Sequence, residues 1–354
     1  MINKIFNCIS IHNGGGIIYL LMMHSKLDKK GNLILLDERA RHIIKPFLHA
    51  KIKFYKKNLF RNFYILRERL ICYLEFRNYL KNSKKKEFIQ EFYLNGIPPL
   101  FRFPVKSNRV FVLFQNKNLF SILNFFSKKL FFQLNFFIYH FLHSFLINLF
   151  LKNTDTIIVQ TNSMKKIISA TKPNNKILIS DRFWKNIDLH FYEKSIFGKF
   201  NNLDINLLEK IRLISNDNRL FFYPASFYPH KNHKVLFKSF QKLSINSVNN
   251  IKLLVTVDPS SVPIEYRQND KIIFIGNQSI DTVHKIYIFS DFLIFPSINE
   301  SLGLPLIEAS LYSLKIIASD LDYVYDVCNP MYTFNPYSVE DIYQKILKAI
   351  KSTI

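Results

Sequence analysis

Two glutamates, Glu300 and Glu308, are separated by seven residues in the stretch FPSINESLGLPLIEAS. An apolar strand pattern runs into them, and Gly303 and Pro305 lie between them, which predicts a strand, a short loop and a helix with the proline in its first turn. Backbone N–H groups at a helix start suit an anion or sugar oxygens. Glu308 would lie one turn inside the helix, directed at the same pocket. On spacing alone, a capping Glu300 and a solvated Glu308 remain the alternative.

The loop after an earlier strand carries a lysine suited to a phosphate. In FFYPASFYPHKNHKVL, the strand pattern ends at Pro224, and Ser226 and the run His230-Lys231-Asn232 precede the next helix. A lysine beside a helix start can neutralise phosphate charge. A solvated lysine is the ordinary alternative.

Glycines mark two more candidate ligand loops. Gly276 and Asn277 follow a strand pattern, as the residues of a nucleobase slot would. Gly14, Gly15 and Gly16 lie directly between a strand and a helix, where the backbone can approach a phosphate closely. A flexible turn is the alternative interpretation of this triplet.

No metal site is predicted, because no two histidines stand at ligand spacing with a carboxylate. The three cysteines, Cys8, Cys72 and Cys328, are scattered and show no C-x-x-C spacing. They indicate neither a zinc site nor a disulfide framework, and they favour a reducing cytosol.

Strand and helix patterns alternate along the 354 residues, which predicts parallel sheets covered by helices. We expect an α/β protein of two doubly wound Rossmann-like domains facing each other across a cleft, with ligands at the carboxyl ends of the strands. The predicted strands are Ile5–Ile11, Leu33–Asp37, Arg109–Phe114, Thr156–Gln160, Lys176–Ile179, Leu220–Pro224, Ile251–Val257, Lys271–Ile275, Phe292–Pro296 and Lys315–Ala318. The predicted helices of the second half are Lys231–Leu243, Ser279–Ser290, Leu304–Leu314 and Val339–Lys351.

The predicted domain boundaries follow changes in residue composition and periodicity. Residues 1–184 are predicted to form one domain and 185–338 a second, in which 185–217 is a connection and loop-rich insertion. Residues 339–354 form a last helix, for which packing back toward the first domain is one option. Helical spacing of apolar residues within Lys51–Lys86 predicts a basic helix.

The net charge of +23 is unevenly placed. Residues 1–150 hold 25 basic and 7 acidic residues, a net +18, whereas 151–354 hold 24 and 19, a net +5. A basic front half suits a polyanion, either a nucleic acid or an anionic membrane surface. The uncharged stretch Leu130–Leu151 is long enough to span a bilayer, but Gln133, His140, His143, Ser144 and Asn148 share one helical face. This pattern favours an amphipathic helix, packed on a sheet or lying at a membrane interface.

Over about Leu220–Asp326, the sequence resembles the group 1, or family-four, retaining glycosyltransferases with the GT-B fold. The resemblance rests on His230-Lys231-Asn232, the Phe274-Ile275-Gly276 turn, Tyr287 followed by Asp291, and Pro296-Ser297 leading into Glu300 and Glu308. In the front half, Gly14–Gly16, Asn95–Pro99 and Val110–Asn116 look like the variants that build bacterial surface polysaccharides and lipopolysaccharide.

The resemblance implies a metal-independent transfer of a sugar from a UDP- or GDP-linked donor to a glycan or lipid-linked acceptor, with retention of configuration. Glu308 would hold the ribose, Glu300 would contact the donor sugar near its reacting carbon, and Lys231 would stabilise the diphosphate. The other implied donor-binding residues are Ser301, Leu302, Gly303, Leu304, Ser226, Gly276, Asn277, Gly14, Gly15 and Gly16.

Two residues depart from the family pattern. Ser226 stands where members usually carry an arginine on the diphosphate. Asn116, on the acceptor side, lies in the loop where many members place a histidine, and it offers hydrogen bonds but no proton.

Together these features predict a cytoplasmic enzyme, peripheral on the inner face of the cytoplasmic membrane. The alternatives are a basic, aromatic-rich nucleic-acid-binding protein and another GT-B enzyme, either a sugar epimerase or a phosphorylase. Nucleic acid is the less favoured partner, because a pure binding module has no need of the Glu300/Glu308 loop and Lys231.

Overall fold

The structure is a computed structural model and describes residues 4–9, 11, 14–23, 27–41, 51–55, 70–71, 73–75, 77–78, 90–96, 98–99, 109–115, 144–180 and 203–352. The chain divides into two compact units, Met1–Trp184 and Lys185–Ile354. Each unit has its own parallel sheet and its own hydrophobic core.

The first unit contains a seven-stranded parallel sheet in the order β3-β2-β1-β4-β5-β6-β7. Its strands Lys4–Cys8 and Asn32–Asp37 are buried along almost their whole length, as strands covered on both faces are. The strands are β1 (Lys4–Cys8), β2 (Asn32–Asp37), β3 (Lys51–Tyr55), β4 (Gln90–Tyr93), β5 (Arg109–Leu113), β6 (Thr156–Val159) and β7 (Lys176–Ile179). Its helices, within the described residues, include α1 (Gly14–Met22) and α2 (Asn162–Thr171).

The strand order of this sheet reverses between β1 and β4, and ligands of doubly wound sheets bind at such a point. Gly14–Gly16 form the start of α1, directly after β1. A Cβ atom on Gly16 would come 3.0 Å from Cγ2 of Ile11, so only glycine fits without a shift of its neighbour. Asn95, after β4, donates from Nδ2 to the carbonyl of Ile9 at 3.1 Å and joins the two loops.

The second unit contains a six-stranded parallel sheet in the order β10-β9-β8-β11-β12-β13. Its strands are β8 (Arg219–Tyr223), β9 (Ile251–Val255), β10 (Ile272–Phe274), β11 (Phe292–Phe295), β12 (Lys315–Ser319) and β13 (Tyr332–Phe334). Its helices are α3 (Ile205–Asp217), α4 (His233–Ile245), α5 (Ile264–Arg267), α6 (Ile280–Phe289), α7 (Leu304–Leu311), α8 (Asp322–Val327) and α9 (Val339–Lys351).

Aromatic residues of the two central strands build the core of this unit. Phe221 of β8 stacks on Phe292 of β11 with ring centroids 4.7 Å apart, and both side chains are fully buried. The last helix, α9, buries Ile342 and Ile346 in the same core, and Tyr343 accepts a 2.8 Å hydrogen bond from Asn246 at the end of α4. The two loops that follow β8 and β11 therefore begin from a rigid base.

Two regions differ from the sequence-based expectation. Residues 51–55 form the edge strand β3, not part of a basic helix, while the described residues 70–71, 73–75 and 77–78 are helical as predicted. In the expected loop-rich insertion 185–217, residues 205–217 form the 13-residue helix α3, which Asp204 caps by accepting from the Leu207 N–H at 3.0 Å. Its apolar side packs on α6, so tertiary contacts stabilise a helix whose own pattern is weak. Strands β4 and β13 are further elements that periodicity did not reveal.

Of the predicted amphipathic helix, residues 144–151 are described, and 144–150 of these are helical. Ser144, expected on the solvated polar face, is buried, whereas Phe145 and Leu149 are 55% and 61% exposed. The helix packs on the first unit's core through Ile147 and presents apolar side chains outward. Among the described residues, no helix combines the length and the hydropathy that crossing a bilayer requires.

Candidate functional site

The candidate site lies at the carboxyl ends of β8 and β11, where the strand order of the second sheet reverses. The segment after β8 forms a short 3-10 turn, Pro229–Lys231, and ends at Asn232. The segment after β11 runs from Pro296 to the start of α7. Parallel neighbours end at the same edge, so sequence segments about 70 residues apart meet here.

Lys231 and Glu300 form an ion pair at this edge. The lysine Nζ lies 2.5 Å from Oε1 of Glu300, and the two side chains are 19% and 13% exposed. Ser297, which is fully buried, donates from Oγ to the same carboxylate oxygen at 2.6 Å. An ammonium has three donors, so its bond to Glu300 is compatible with further bonds to phosphate oxygens.

The two loops are tied together by hydrogen bonds. The Ile298 N–H donates to the carbonyl of His230 at 2.9 Å. Asn232 has a left-handed φ of 59°, and its Nδ2 donates to the Pro296 and Pro336 carbonyls at 3.2 and 2.6 Å. Asparagine is one of the few residues that adopts this conformation readily. The positions of Lys231 and Glu300 are therefore fixed relative to each other.

Buried tyrosine hydroxyls donate hydrogen bonds to the backbone of both loops. Tyr223 donates to the carbonyl of Lys231 at 2.8 Å, and Tyr323 donates to the carbonyl of Ser297 at 2.7 Å. Burial, together with the nearby charge of Glu300, raises the pKa of each tyrosine well above its usual value. Both hydroxyls accordingly remain protonated donors at any physiological pH.

Glu308 lies one turn inside α7, as predicted, and it is buried rather than solvated, with 6% of the residue exposed. Its Oε2 accepts a 2.9 Å hydrogen bond from the hydroxyl of Tyr287. Gly303 caps the helix with a left-handed φ of 73°, and Pro305 occupies its first turn. A Cβ at Gly303 would come 3.1 Å from Cδ1 of Leu306, so glycine meets both a conformational and a steric demand.

The other predicted donor-binding residues of this unit also lie at the carboxyl edge. Gly276 follows β10 with a φ of 68°, and its N–H donates to the Val257 carbonyl at 3.2 Å. Asn277 and Ser226 are exposed, Leu302 is buried, and Ser301 and Leu304 are half-buried around the helix start. This edge thus combines a lysine, two carboxylates and a helix N-terminus, which together can bind a phosphorylated and hydroxyl-rich ligand.

A family model decides the identity of this unit. The model for glycosyl transferases group 1 matches residues 204–353, which include the complete sheet and every contact described for the site. The second unit belongs to the group 1 glycosyltransferases. The resemblance to group 1 that the motifs indicate is thereby confirmed.

Solved structures share the fold of this chain at low identity. HepE of Anabaena, crystallised with UDP and glucose, has a TM-score of 0.65 and 12% identity over 100% of this chain and 91% of that one. WaaG, from lipopolysaccharide biosynthesis, has a TM-score of 0.61 and 14% identity over 98% and 90%. A putative UDP-N-acetylglucosamine 2-epimerase from Listeria monocytogenes has a TM-score of 0.57 and 10% identity over 99% and 88%.

These likenesses show the GT-B fold of two Rossmann-like domains, as predicted, and the epimerase shows that this fold also hosts other chemistry. A search of curated proteins by sequence gave no significant match. Of the site residues predicted in the first domain, Gly14–Gly16 lie at the start of α1, and Asn116 lies outside the described residues. The part of the chain that the structure describes contains no cluster of three or more His, Cys, Asp or Glu suited to a metal ion.

The residues that hold the candidate site in place were not predicted from the sequence. Ser297 and Tyr287 belong to the motifs described above, but the motifs predict no role for them. Tyr223 and Tyr323 were not predicted as site residues. Tyr223, Tyr287 and Tyr323 act on residues 8, 21 and 26 positions away in the chain, so no local period reveals them. Ser297 lies three residues from its partner Glu300, and that spacing alone does not indicate a hydrogen bond. The one available signal is an apolar run that ends in a residue with a hydroxyl, as FFY does at Tyr223.

His233, the first residue of α4, makes the stability of this domain depend on pH. It is 2% exposed and packs among Tyr223, Phe227 and Phe237. Within the described structure neither ring nitrogen has a partner with acceptable hydrogen-bond geometry. Burial lowers the pKa of this imidazole to about 3, aided by the charge of Lys231. Below pH 6.5, the ordinary pKa of histidine, His233 is protonated in the unfolded chain but stays neutral in the folded domain. The free energy of unfolding therefore falls as the pH falls from 6.5 toward 3.

Urea unfolding of the wild type and of His233→Phe at pH 7, 6 and 5 tests this coupling. We expect the wild type to lose up to about 1.4 kcal/mol more per pH unit than the variant between pH 6 and pH 5. Carboxylate titration affects both proteins alike and cancels in the comparison. Parallel pH dependences would show that His233 is not the group responsible.

Proposed function

We propose that the protein transfers a sugar from a nucleotide diphosphate sugar to a glycan or lipid-linked acceptor, with retention of configuration and without a metal ion. The observation that carries this proposal is the Lys231–Glu300 pair beside the buried Glu308 at the switch point of a group 1 glycosyltransferase domain. The UDP in the HepE structure supports a nucleotide-linked donor.

In this reaction the bond between the anomeric carbon and the β-phosphate oxygen breaks, and a bond to the acceptor oxygen forms on the same face. The departing phosphate takes the acceptor proton. Negative charge grows on the leaving diphosphate, where the Lys231 ammonium and the N-terminus of α7 stabilise it. Positive charge grows at the anomeric carbon, where the Glu300 carboxylate stabilises it.

Hydrolysis screening of the purified protein against UDP-, GDP- and ADP-sugars is the primary test. We expect slow release of one nucleoside diphosphate, and thermal stabilisation by that same nucleotide. Stabilisation only by a short oligonucleotide, lost at high salt, would instead favour the nucleic-acid-binding alternative. Nucleotide release coupled to epimer formation without an acceptor would favour an epimerase.

Glu308 supports a prediction about donor affinity. Replacing it with glutamine removes a charged acceptor from the proposed ribose site, and charge-assisted hydrogen bonds exceed neutral ones by about 1 kcal/mol each. We expect the affinity for the nucleoside diphosphate to fall by about 10- to 30-fold, while turnover at saturating donor changes less than threefold. Glu265→Gln, on an exposed part of the same domain, is the matched control for calorimetry.

We also propose a peripheral position on an anionic membrane at the cytoplasmic face, in surface polysaccharide or lipopolysaccharide synthesis. The net +18 of residues 1–150 and the exposed Phe145 and Leu149 support it, because basic charge attracts anionic lipid and apolar side chains insert at the interface. The description of WaaG as a lipopolysaccharide enzyme supports the same setting.

Sedimentation with liposomes tests the membrane proposal. Vesicles with anionic lipid are expected to retain the protein and neutral vesicles are not, and Phe145→Ser with Leu149→Ser is expected to reduce retention at least threefold. Leu213→Ser, at a residue 66% exposed in the other unit, is the matched control. Equal retention on neutral and anionic vesicles would remove the electrostatic account.

A further inference from the structure

Tyr287 of α6 connects a neighbouring helix to Glu308 of α7. Its hydroxyl donates to Oε2 of Glu308 at 2.9 Å, and the two residues are 0% and 6% exposed. A hydrogen bond to a buried carboxylate is stronger than one between neutral groups. The orientation of the Glu308 carboxylate therefore depends on where this hydroxyl lies.

The ring of Tyr287 is fixed independently of its hydroxyl. It stacks on Tyr312 with centroids 5.6 Å apart and planes 13° apart, and it meets Phe222 of β8 edge-on at 5.2 Å. Tyr312 is anchored in turn, since its hydroxyl lies 3.1 Å from Nδ1 of His284. These ring contacts survive the loss of the Tyr287 hydroxyl, so phenylalanine can replace the tyrosine without repacking.

A glutamate side chain has three rotatable bonds, and a ligand that must order it loses affinity. A carboxylate offers about four lone-pair sites, so a bond from Tyr287 to one oxygen is compatible with bonds from a ligand. The hydroxyl of Tyr287 selects one rotamer of Glu308 before any ligand arrives.

We infer that Tyr287 is a positioning residue for Glu308, setting the carboxylate to receive the ribose hydroxyls of the donor nucleotide. This inference rests on the proposed function of the site. Tyr287 does not touch the nucleotide and acts only through the carboxylate. Its contribution is therefore specific to ligands that possess both ribose hydroxyls.

Calorimetry with UDP and GDP on the full-length protein tests the inference. For the nucleotide that the wild type binds, Tyr287→Phe is expected to weaken affinity about tenfold, with turnover at saturating donor changed less than twofold. For the matching 2′-deoxynucleoside diphosphate the loss is expected to shrink to less than threefold. Tyr343→Phe, at another buried tyrosine with a hydrogen-bonded hydroxyl, is the matched control and is expected to bind both ligands as the wild type does.

A double-mutant cycle with Glu308→Gln separates positioning from general packing. If Tyr287 acts through the carboxylate, Tyr287→Phe costs less than twofold in the Glu308→Gln background. An undiminished tenfold loss in that background, or wild-type affinity in Tyr287→Phe alone, overturns the inference. Absence of UDP and GDP binding by the wild type would instead contradict the proposed function on which the inference rests.

Discussion

Replacing Glu300 with glutamine is expected to lower the turnover of sugar transfer by at least about 100-fold, the usual effect of removing one preorganised electrostatic group from an active site. The carboxylate lies at the carboxyl end of β11, held by Lys231 at 2.5 Å and Ser297 at 2.6 Å. Glutamine keeps the length of the side chain and removes the charge that stabilises the developing cation. Nucleotide affinity is expected to stay within threefold or to increase, because Lys231 loses its counter-ion and attracts the diphosphate more strongly.

Initial rates at saturating donor, together with calorimetric binding, measure both effects. Glu340→Gln is the matched control, because Glu340 pairs with Lys242 on the surface of the same domain, where an ion pair contributes little. Wild-type turnover in Glu300→Gln would remove Glu300 from the reaction. A loss confined to nucleotide affinity would assign it to donor binding instead.

Replacing Lys231 with methionine is expected to lower both donor affinity, by about 10- to 100-fold, and turnover, by at least about 100-fold. The variant keeps most of the apolar stem but removes the ammonium that meets the leaving diphosphate. It also leaves the Glu300 carboxylate, only 13% exposed, without its counter-ion, so that this carboxylate repels the phosphates.

Lys242→Met, at the surface partner of Glu340, is the matched control for the loss of a lysine from an ion pair. The double variant Lys231→Met with Glu300→Gln is expected to bind the nucleotide better than Lys231→Met alone, because it removes the unpaired carboxylate. Strictly additive effects on binding would show that the two side chains do not interact in the functional state.

The strands of the second unit were predictable because they are buried on both faces. The runs LFFY, IKLLV and FLIF have the apolar continuity typical of central parallel strands, and the observed ends lie within two residues of the predicted ones. The strand β13 and the helix α3 were not predictable. The strand has three residues, too few for a period, and the helix is stabilised by packing on α6.

In the first unit, the β3 strand KIKFY and the β4 strand QEFY sit among charged residues. Alternating lysines on β3 match an edge strand, yet they also fit the polar face of a helix, and the helical spacing further along the chain led to the wrong assignment. The strand conformation of these segments depends on their position in the sheet, which the local sequence does not reveal.

The reacting groups of the candidate site were predictable and their supports were not. The spacing of glycine, proline and glutamate is a local signal for the start of a helix, and the structure contains that helix. The bonds from Tyr287 to Glu308 and from Tyr323 to the Ser297 carbonyl depend on which elements become neighbours in space. They can be recognised only in the folded structure.

The hydrogen bonds that join the loops after β8 and β11 determine when the ordering of the site takes place. The Ile298–His230 bond and the bond from the Asn232 side chain to the Pro296 carbonyl form as the domain folds, before any donor is present. The conformational entropy of these loops is therefore lost on folding and not on binding. Within this domain, differences in affinity among nucleotide sugars should arise in how fast each one leaves, since the loops it meets on arrival are the same.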